Sequence, residues 1–173
     1  MQLKLVSPKE EYAELFYLWR TQPTFIKHNP LKLQNLEECR ARLLSEGDDL
    51  QSSTKCEAYR WFIELGGEIV GSVSVSNRNE MMKIAEIGYA VDERFQGKGI
   101  GSLAVGMLVT KVFAETDLRK LIAFVHDLNI PSCRLLEKVG FKKEGLLRQH
   151  YLINQKPENE VLYGLLREEI EAP

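Results

Sequence analysis

The spacing of hydrophobic and polar positions changes along the chain, and each spacing predicts one type of secondary structure. Apolar residues that recur every three to four positions predict amphipathic helices, whereas strict alternation predicts half-buried strands. The helical spacing covers residues 7–20, 35–46, 100–115 and 132–138. Alternating or continuously β-rich runs cover residues 3–5, 59–65, 69–76, 83–91, 121–125, 145–153 and 160–166. This order predicts an α/β (α+β) three-layer fold, in which helices cover both faces of a mixed, mostly antiparallel sheet of about seven strands.

Residues with special backbone preferences mark several boundaries between these elements. Ser7 is the expected N-cap of the first helix, because Pro8 follows it at a position that suits the first helical residue. The pair Gly66-Gly67 predicts a two-residue hairpin turn. Gly140 predicts the end of the short helix over residues 132–138. A turn that contains Pro157 is expected between the last two strands.

The composition narrows the classes of function. A chain of 173 residues with 44% hydrophobic residues predicts one domain over residues 1–173. The near balance of 23 basic and 25 acidic residues argues against a broad nucleic-acid-binding surface. No apolar run approaches the roughly 20 residues of a membrane-spanning helix, and charged residues interrupt the N-terminal region where a signal peptide would lie. The expected protein is therefore cytoplasmic, a monomer or homodimer, with neither a membrane nor nucleic acid as its partner.

Cysteine and histidine residues are scattered along the chain. The three cysteines lie at positions 39, 56 and 133, and the three histidines lie at positions 28, 126 and 150. An odd number of widely separated cysteines predicts reduced thiols, not a disulfide framework. Because no CxxC or HxxxH spacing occurs, we expect no metal site.

A run of alternate glycines lies between a predicted strand and a predicted helix. Gly97, Gly99 and Gly101 allow backbone N–H groups to point at a ligand, and the following helix adds a positive dipole. Such a nest suits a pyrophosphate. The Walker motif does not fit, since Gly99 follows Lys98 where that motif needs Ser or Thr. The dinucleotide fingerprint does not fit either, since its third glycine would come one residue later. A tight turn without a ligand stays an alternative.

Two segments resemble the signatures of the GNAT acyltransferase superfamily. Residues 96–101 match its Q/R-x-x-G-x-G/A acetyl-CoA loop, and residues 129–141 are similar to its N-x-x-S/A…K-x-G-F segment. Residues 144–166 resemble the branch that contains the ribosomal-protein N-terminal acetyltransferases. The resemblance covers residues 84–166 and implies a GNAT-type fold, acetyl-CoA as the acyl donor, and transfer of an acetyl group to a primary amine. It also implies direct attack within a ternary complex.

The resemblance further implies which residues hold acetyl-CoA. Backbone groups of Tyr89, Ala90 and Val91 would bind the pantetheine arm as an added strand would, and Asn129 would contact it from the other side. Ser132 would lie beside the arm. The pyrophosphate would be held by the residues of the turn and the first helical turn: Gln96, Gly97, Lys98, Gly99, Ile100, Gly101 and Ser102.

The expected catalytic residues are Glu86, Asn129 and Ser132. Many members of the family place a tyrosine acid seven residues after the asparagine, where this chain has Leu136. We expect Ser132 to replace it, directly or through water; an N-cap role for Ser132 is the alternative. Strand alternation places Glu86 on one face with Gly88, which leaves room for a cationic amine. We expect Glu86 to be the base or substrate anchor; a cross-strand ion pair is the alternative.

The acceptor side is expected to contain Phe25, His28, His150 and Tyr151. The first two lie in a predicted loop over residues 22–33, which either closes over the acceptor or is an anchored surface loop. The last two lie on the penultimate strand, although related enzymes carry a glutamate near the position of Tyr151. The expected acceptor is a protein N-terminus first, and a polyamine or amino sugar second. A catalytically silent CoA-binding module and a binder of a nucleotide other than CoA remain as alternatives.

Overall fold

The computed structural model describes residues 2–29, 35–52 and 56–171. Seven strands form one sheet in the order β1-β2-β3-β4-β5-β7-β6. The strands are β1 (Leu3–Val6), β2 (Ala58–Leu65), β3 (Glu68–Asn79), β4 (Ile84–Val91), β5 (Lys120–His126), β6 (Lys142–Ile153) and β7 (Lys156–Leu166). Only β4 and β5 are parallel within this sheet. The predicted mixed, mostly antiparallel sheet of seven strands is confirmed.

Helices pack against both faces of the sheet, as the three-layer prediction requires. They are α1 (Ala13–Thr21), α2 (Pro23–His28), α3 (Leu36–Ser45), α4 (Ile100–Glu115), α5 (Ile130–Val139) and α6 (Glu168–Glu171). Alternate strand residues such as Val73, Ile87 and Leu121 form the larger core with α4 and α5; we call this side the α4 face. On the other side, the α1 face, Phe62 packs against α1 and α3. Within the described residues, no helix is long and apolar enough to cross a membrane.

Several predicted boundaries differ from those observed. Ser7 caps no helix: Lys9 stays extended, a 3₁₀ turn follows over Glu10–Tyr12, and α1 begins at Ala13. The predicted loop over residues 22–33 contains α2, because Pro23 favours the first helical position; residues 30–33 lie outside the described part. The turn between the last strands is Asn154-Gln155, both with positive φ, and Pro157 lies in β7 opposite Leu152.

Two helices follow their local sequence signals closely. The amide and backbone of Asn35 form a capping box with Glu38 at the start of α3. Gly140 ends α5 with φ of 110°, in the left-handed region that glycine enters without strain. The start of α5 is earlier than predicted, because the N-cap is Asn129. Because Asn129 is the cap, the Ser132 side chain is free to make other contacts.

Candidate active site

The two central strands separate from one another halfway along their length. The strands β4 and β5 pair only between residues 84–86 and residues 120–122. Beyond Glu86 the pairing ends, although β4 continues to Val91 and β5 continues to His126. The result is a wedge-shaped opening in the middle of the sheet, which we call the β4–β5 gap.

Backbone groups of β4 line this gap. The Asp92 N–H donates to the Val70 carbonyl of β3 at 2.9 Å. Because successive residues of an antiparallel strand direct their backbone groups to opposite sides, those of Tyr89 and Val91 face the gap. The Ala90 carbonyl lies toward β3. Of the three residues expected to bind pantetheine, Tyr89 and Val91 therefore face the gap, where β5 does not pair with them, although the Val91 carbonyl accepts a hydrogen bond from Gln96. Ala90 lies between them and faces β3.

The glycine turn, Gln96–Gly101, lies at the wide end of the gap. Gly97 and Gly99 have φ of +73° and +77°, and a side chain at either position would point into open space. Gly101 serves a different purpose, since a Cβ there would lie 2.6 Å from Leu135 of α5. The N-cap of α4 is Gly99, which has no side chain to cap the first turn. The N–H groups and helix dipole of α4 are therefore available to an anion.

Side chains around the turn shape its rim. Gln96 Nε2 donates to the Val91 carbonyl at 2.9 Å, which ties the turn to the end of β4. Lys98 folds back and donates to the Arg94 carbonyl at 3.0 Å, so its charge lies at the exposed edge. Ile100 is buried, and only its backbone faces the turn, whereas Ser102 is partly buried in the first turn of α4.

A buried carboxylate anchors the turn to the opposite layer of helices. Asp92 accepts hydrogen bonds from Trp19 Nε1 at 3.2 Å and Gln22 Nε2 at 3.3 Å. The Arg94 side chain also donates to Asp92, and its hydrogen bonds lower the pKa of this carboxyl to about 2. Thr24 at the start of α2 donates both its N–H and its hydroxyl to Glu93. The glycine turn and α2 are thus held by one hydrogen-bond network.

The N-terminus of α5 borders the gap on the α4 face. Asn129 Oδ1 accepts from the Ser132 N–H at 3.3 Å, so Asn129 caps the helix and the N-cap alternative for Ser132 is wrong. The Ser132 hydroxyl instead lies 2.6 Å from the Tyr89 hydroxyl. Burial raises the pKa of Tyr89. Leu136 is fully buried in the core, so no hydroxyl reaches the gap from that position.

Glu86 lies on the α1 face of β4, as strand alternation predicts. Its carboxylate accepts a hydrogen bond from Asn77 Nδ2 at 2.7 Å. Among the described residues, no basic side chain forms an ion pair with Glu86.

Two histidines that are far apart in sequence meet above the gap. His28 Nδ1 of α2 lies 2.9 Å from His126 Nδ1 of β5. Burial lowers the pKa of His28, and the neighbouring charge of His126 adds to this effect. His126 is buried, and its Nε2 lies 3.7 Å from Asp127 and 3.6 Å from Glu158, beyond ordinary hydrogen-bonding distance. The helix α2 is therefore joined to the sheet by a pair of imidazoles next to two carboxylates.

The last two strands add further titratable groups to the same face. His150 stacks on Phe124 with parallel rings and lies 3.7 Å from Glu160. Burial raises the pKa of Glu160, and the charge of Glu86 raises it further. Tyr151 lies opposite Glu158 in the β6–β7 register and contacts the edge of the His126 ring. Burial also raises the pKa of Tyr151, with nearby carboxylates contributing.

We call these side chains the carboxylate–histidine cluster. It comprises His28, Glu86, His126, His150, Tyr151, Glu158 and Glu160. Of the four residues expected on the acceptor side, three belong to it. Phe25 does not, because its ring contacts the Arg20 guanidinium at 5.4 Å. In the described part of the chain, no group of three or more His, Cys, Asp and Glu side chains has a geometry that could hold a metal ion.

Three members of the cluster were missed from the sequence. His126 ends a buried strand and looks like any scattered histidine until α2 is placed above it. Glu158 and Glu160 lie on alternate positions of β7, and the predicted strand began only at Glu160. If the predicted strand had begun a few residues earlier, its alternation would have placed Glu158 and Glu160 on the same face. They supply the carboxylate that β6 lacks near Tyr151, since Glu158 lies directly across the strand pair.

The two sides of the gap are chemically complementary. On the α4 face the gap carries hydroxyl groups and helix N-termini, which donate hydrogen bonds and stabilise negative charge. On the α1 face it carries carboxylates and imidazoles, which bind a cation and accept protons. A glycine turn at one end suits a phosphate group. This arrangement can polarise an acyl group and deprotonate an amine on opposite sides of one opening.

Comparison with known proteins agrees with this geometry. YdaF of Bacillus subtilis (strain 168), named provisionally as a ribosomal N-acetyltransferase, is 33% identical over 106 residues, which cover 61% of this chain and 58% of YdaF. The microcin C7 self-immunity acetyltransferase MccE, solved with acetyl-CoA and AMP, gives a TM-score of 0.81 at 25% identity and covers 95% of this chain and 92% of MccE.

A second solved structure shares the fold at lower sequence identity. It is a chimera of the spermidine N-acetyltransferase SpeG from Vibrio cholerae and hSSAT, with a TM-score of 0.87 at 18% identity and full coverage of both chains. The acetyltransferase (GNAT) domain family matches residues 2–142 of the sequence. The chain therefore belongs to the GNAT acetyltransferase domain family.

Proposed function

We propose that the protein is an N-acetyltransferase that moves an acetyl group from acetyl-CoA to a primary amine by direct attack. The observation that carries this proposal is the β4–β5 gap, with proton donors on its α4 face and carboxylates on its α1 face. Because both sets of groups reach one opening, an amine and a thioester bound from opposite sides would meet there. MccE was solved in complex with acetyl-CoA, which supports acetyl-CoA as the acyl donor of this chain.

The residues present fit CoA. The open positions at Gly97 and Gly99 and the uncapped α4 N-terminus would hold the pyrophosphate, with Ser102 in the same turn. The strand positions of Tyr89 and Val91 that face the gap would bind the pantetheine amides, as an added strand would. Asn129 and Ser132 would border the arm at the start of α5. When bound, acetyl-CoA supplies an activated acyl group that an amine can attack.

The carboxylate–histidine cluster would prepare the amine. An amine attacks only when it is neutral, so a nearby base must accept its proton. Glu86 and Glu160 interact electrostatically on the same face, and the raised pKa of Glu160 brings that carboxyl closer to neutral pH. We assign Glu86 to binding the cationic amine and Glu160, next to His150, to accepting its proton.

The acceptor is a protein N-terminus in our first proposal, which the name of YdaF supports. A polyamine is the second candidate. The observation that favours it is the gathering of Glu86, Glu158 and Glu160 on the α1 face, with Asp127 3.7 Å from His126, because several carboxylates suit a ligand with several positive charges. The solved SpeG chimera, named for spermidine, supports this second candidate.

An assay of acetyl transfer tests the proposal. The protein is incubated with acetyl-CoA and either a serine-initiated hexapeptide or spermidine, and mass spectrometry detects the acetylated product. The matched control is the same hexapeptide with an acetylated N-terminus, which offers no amine. We expect turnover with at least one free amine and none with the blocked peptide.

Two outcomes would contradict the proposal in different ways. Tight CoA binding in calorimetry, together with no product from a wide panel of amines, would leave a catalytically silent CoA-binding module. Binding of ATP or NAD with no response to CoA would remove the assignment of the donor site altogether.

A further inference from the structure

The Tyr89–Ser132 hydrogen bond crosses from β4 to the start of α5, over the mouth of the gap. The two hydroxyl oxygens lie 2.6 Å apart, and the Tyr89 hydroxyl also lies 3.4 Å from the Ser132 carbonyl. The two residues are 43 positions apart in sequence, so only the folded chain brings them together. Tyr89 is therefore joined to the residue that the sequence marks as the substitute for a missing tyrosine.

A capping role does not account for this bond. Asn129 already caps α5, and Leu136, at the expected position of a tyrosine, lies in the core. The Tyr89 ring comes instead from β4, the strand whose backbone lines the gap. Because burial raises the pKa of Tyr89, its hydroxyl is protonated at neutral pH and is a hydrogen-bond donor.

We propose that Tyr89 is a positioning residue that orients the Ser132 hydroxyl toward the thioester sulfur and supplies it with a proton during acetyl transfer. The proposal rests on the acetyltransferase function proposed above and assigns the acid side of that reaction. Tyr89 acts through Ser132. Its phenol lies on β4 and takes the place of the tyrosine hydroxyl that is missing because position 136 is leucine.

Acidity explains why serine needs this partner. An ordinary thiol has a pKa of about 8.5 and an ordinary phenol one of about 10, whereas an alcohol is a far weaker acid than either. Burial raises the pKa of Tyr89 above the ordinary value, so Tyr89 is a weaker acid than a free phenol, but it remains a stronger acid than an alcohol. Serine alone would therefore protonate a departing thiolate poorly. If Ser132 takes the phenolic proton of Tyr89 while it gives its own proton to the sulfur, no serine alkoxide forms.

In the proposed step, bonds change at the acyl carbon and protons move on both sides of it. The C–N bond forms and the thioester C–S bond breaks, with the electron pair of that bond left on sulfur. Ser132 Oγ gives its proton to the sulfur and takes the proton of the Tyr89 hydroxyl. A carboxylate on the α1 face holds the proton lost by the amine. After the products leave, the carboxylate releases its proton to water and Tyr89 regains one from water, so that the protein returns to its starting state.

Three variants test the pair: Tyr89→Phe, Ser132→Ala and the double variant. Tyr89→Phe keeps the ring and loses only the hydroxyl. The matched control is Tyr163→Phe, which removes another buried hydroxyl on the α4 face, one that donates to Glu137 at 2.9 Å. Steady-state kinetics use acetyl-CoA with the faster of the serine-initiated hexapeptide and spermidine, and thermal melting checks the fold of each variant.

We expect Tyr89→Phe to lower kcat about tenfold or more and to leave the KM for acetyl-CoA within about twofold. Tyr163→Phe should keep the kcat of the unmodified chain. The double variant should be no slower than Ser132→Ala, because the two hydroxyls act as one unit. A kcat for Tyr89→Phe equal to that of Tyr163→Phe would overturn the proposal, as would fully additive losses in the double variant.

A binding measurement separates this proposal from the function on which it rests. Calorimetry compares CoA with desulfo-CoA, which lacks the sulfur atom. We expect the unmodified chain to bind CoA about fivefold more tightly than desulfo-CoA, and Tyr89→Phe to lose most of that preference. If CoA did not bind, both the proposed acetyltransferase function and the proposed role of Tyr89 would be contradicted. If the unmodified chain bound CoA and turned over, and Tyr89→Phe kept the full preference for CoA over desulfo-CoA, only the proposed role of Tyr89 would be contradicted.

Discussion

The glycine turn and the carboxylate–histidine cluster lie on either side of the β4–β5 gap and are built in opposite ways. The turn consists of consecutive residues and offers backbone N–H groups, whose hydrogen-bonding state does not change with pH. The cluster takes one or two side chains each from α2, β4, β5, β6 and β7, and all of them are titratable. Binding of the donor therefore depends on backbone shape, whereas binding and deprotonation of the acceptor depend on the protonation states of side chains.

Substitutions on the two sides of the gap should therefore impair different properties of the protein. A change in the glycine turn should affect CoA affinity over the whole pH range, since the turn holds phosphates through amides and a helix dipole. A change in the cluster should affect turnover and its pH dependence, and leave CoA affinity intact.

The first prediction concerns the donor side. Gly99→Asp places a carboxylate where the turn faces a pyrophosphate, and Asp tolerates the left-handed backbone better than most residues. We expect CoA affinity to fall about 100-fold through charge repulsion, as measured by calorimetry. Gly67→Asp is the matched control, because Gly67 also has a positive φ and open space but lies in the β2–β3 turn. Unchanged affinity in Gly99→Asp would show that the turn does not hold the phosphates.

The second prediction concerns the acceptor side. Glu160→Gln should lower kcat about 100-fold while the dissociation constant of CoA stays the same, because Gln cannot accept the proton of the amine. Since burial raises the pKa of Glu160, activity of the unmodified chain should fall as the pH drops through that raised pKa. Glu137→Gln, on the other face of the sheet, is the control. An acidic limb of the rate profile that survives in Glu160→Gln would point to Glu86 as the base.

The third prediction concerns the link between the two sides. Asp92→Ala removes the acceptor for Trp19, Gln22 and Arg94 and should destabilise the fold by about 2–3 kcal/mol, which differential scanning calorimetry measures. Because folding lowers the pKa of Asp92 from 3.8 to about 2, its contribution is present above pH 3.8 and is lost as the pH falls through about 2. Asp117→Ala, which removes an exposed carboxylate, should have a much smaller effect.

The fourth prediction concerns α2 and has the smallest effect. His28→Gln should raise the KM of the amine about threefold, since it disturbs the hydrogen bond that joins α2 to His126. Folding lowers the pKa of His28 below its ordinary value of 6.5. Its contribution to stability is therefore present above pH 6.5 and is lost as the pH falls through the lower pKa of the folded state. Thermal melting across this range should show a weaker pH dependence in His28→Gln than in the control Lys27→Gln.

The same contrast explains what could be predicted from the sequence. The individual strands, the turn at Gly66-Gly67 and the glycine turn follow from local spacing, because each depends on neighbouring residues. The partner of Ser132 could not be predicted, since Tyr89 lies 43 residues away and meets it only after β4 and α5 pack together. The His28–His126 pair was missed for the same reason, as the sequence indicated a loop where α2 forms.

A structure with CoA bound would test the central claim most directly, namely that the β4–β5 gap is where the acetyl group is transferred. We predict that the pantetheine arm lies along the Tyr89 and Val91 side of the gap. The pyrophosphate should contact the N–H groups of the glycine turn, and the sulfur should lie within hydrogen-bonding distance of Ser132 Oγ. An arm that leaves the gap empty, or a sulfur on a surface away from both Ser132 and the carboxylate–histidine cluster, would contradict the account.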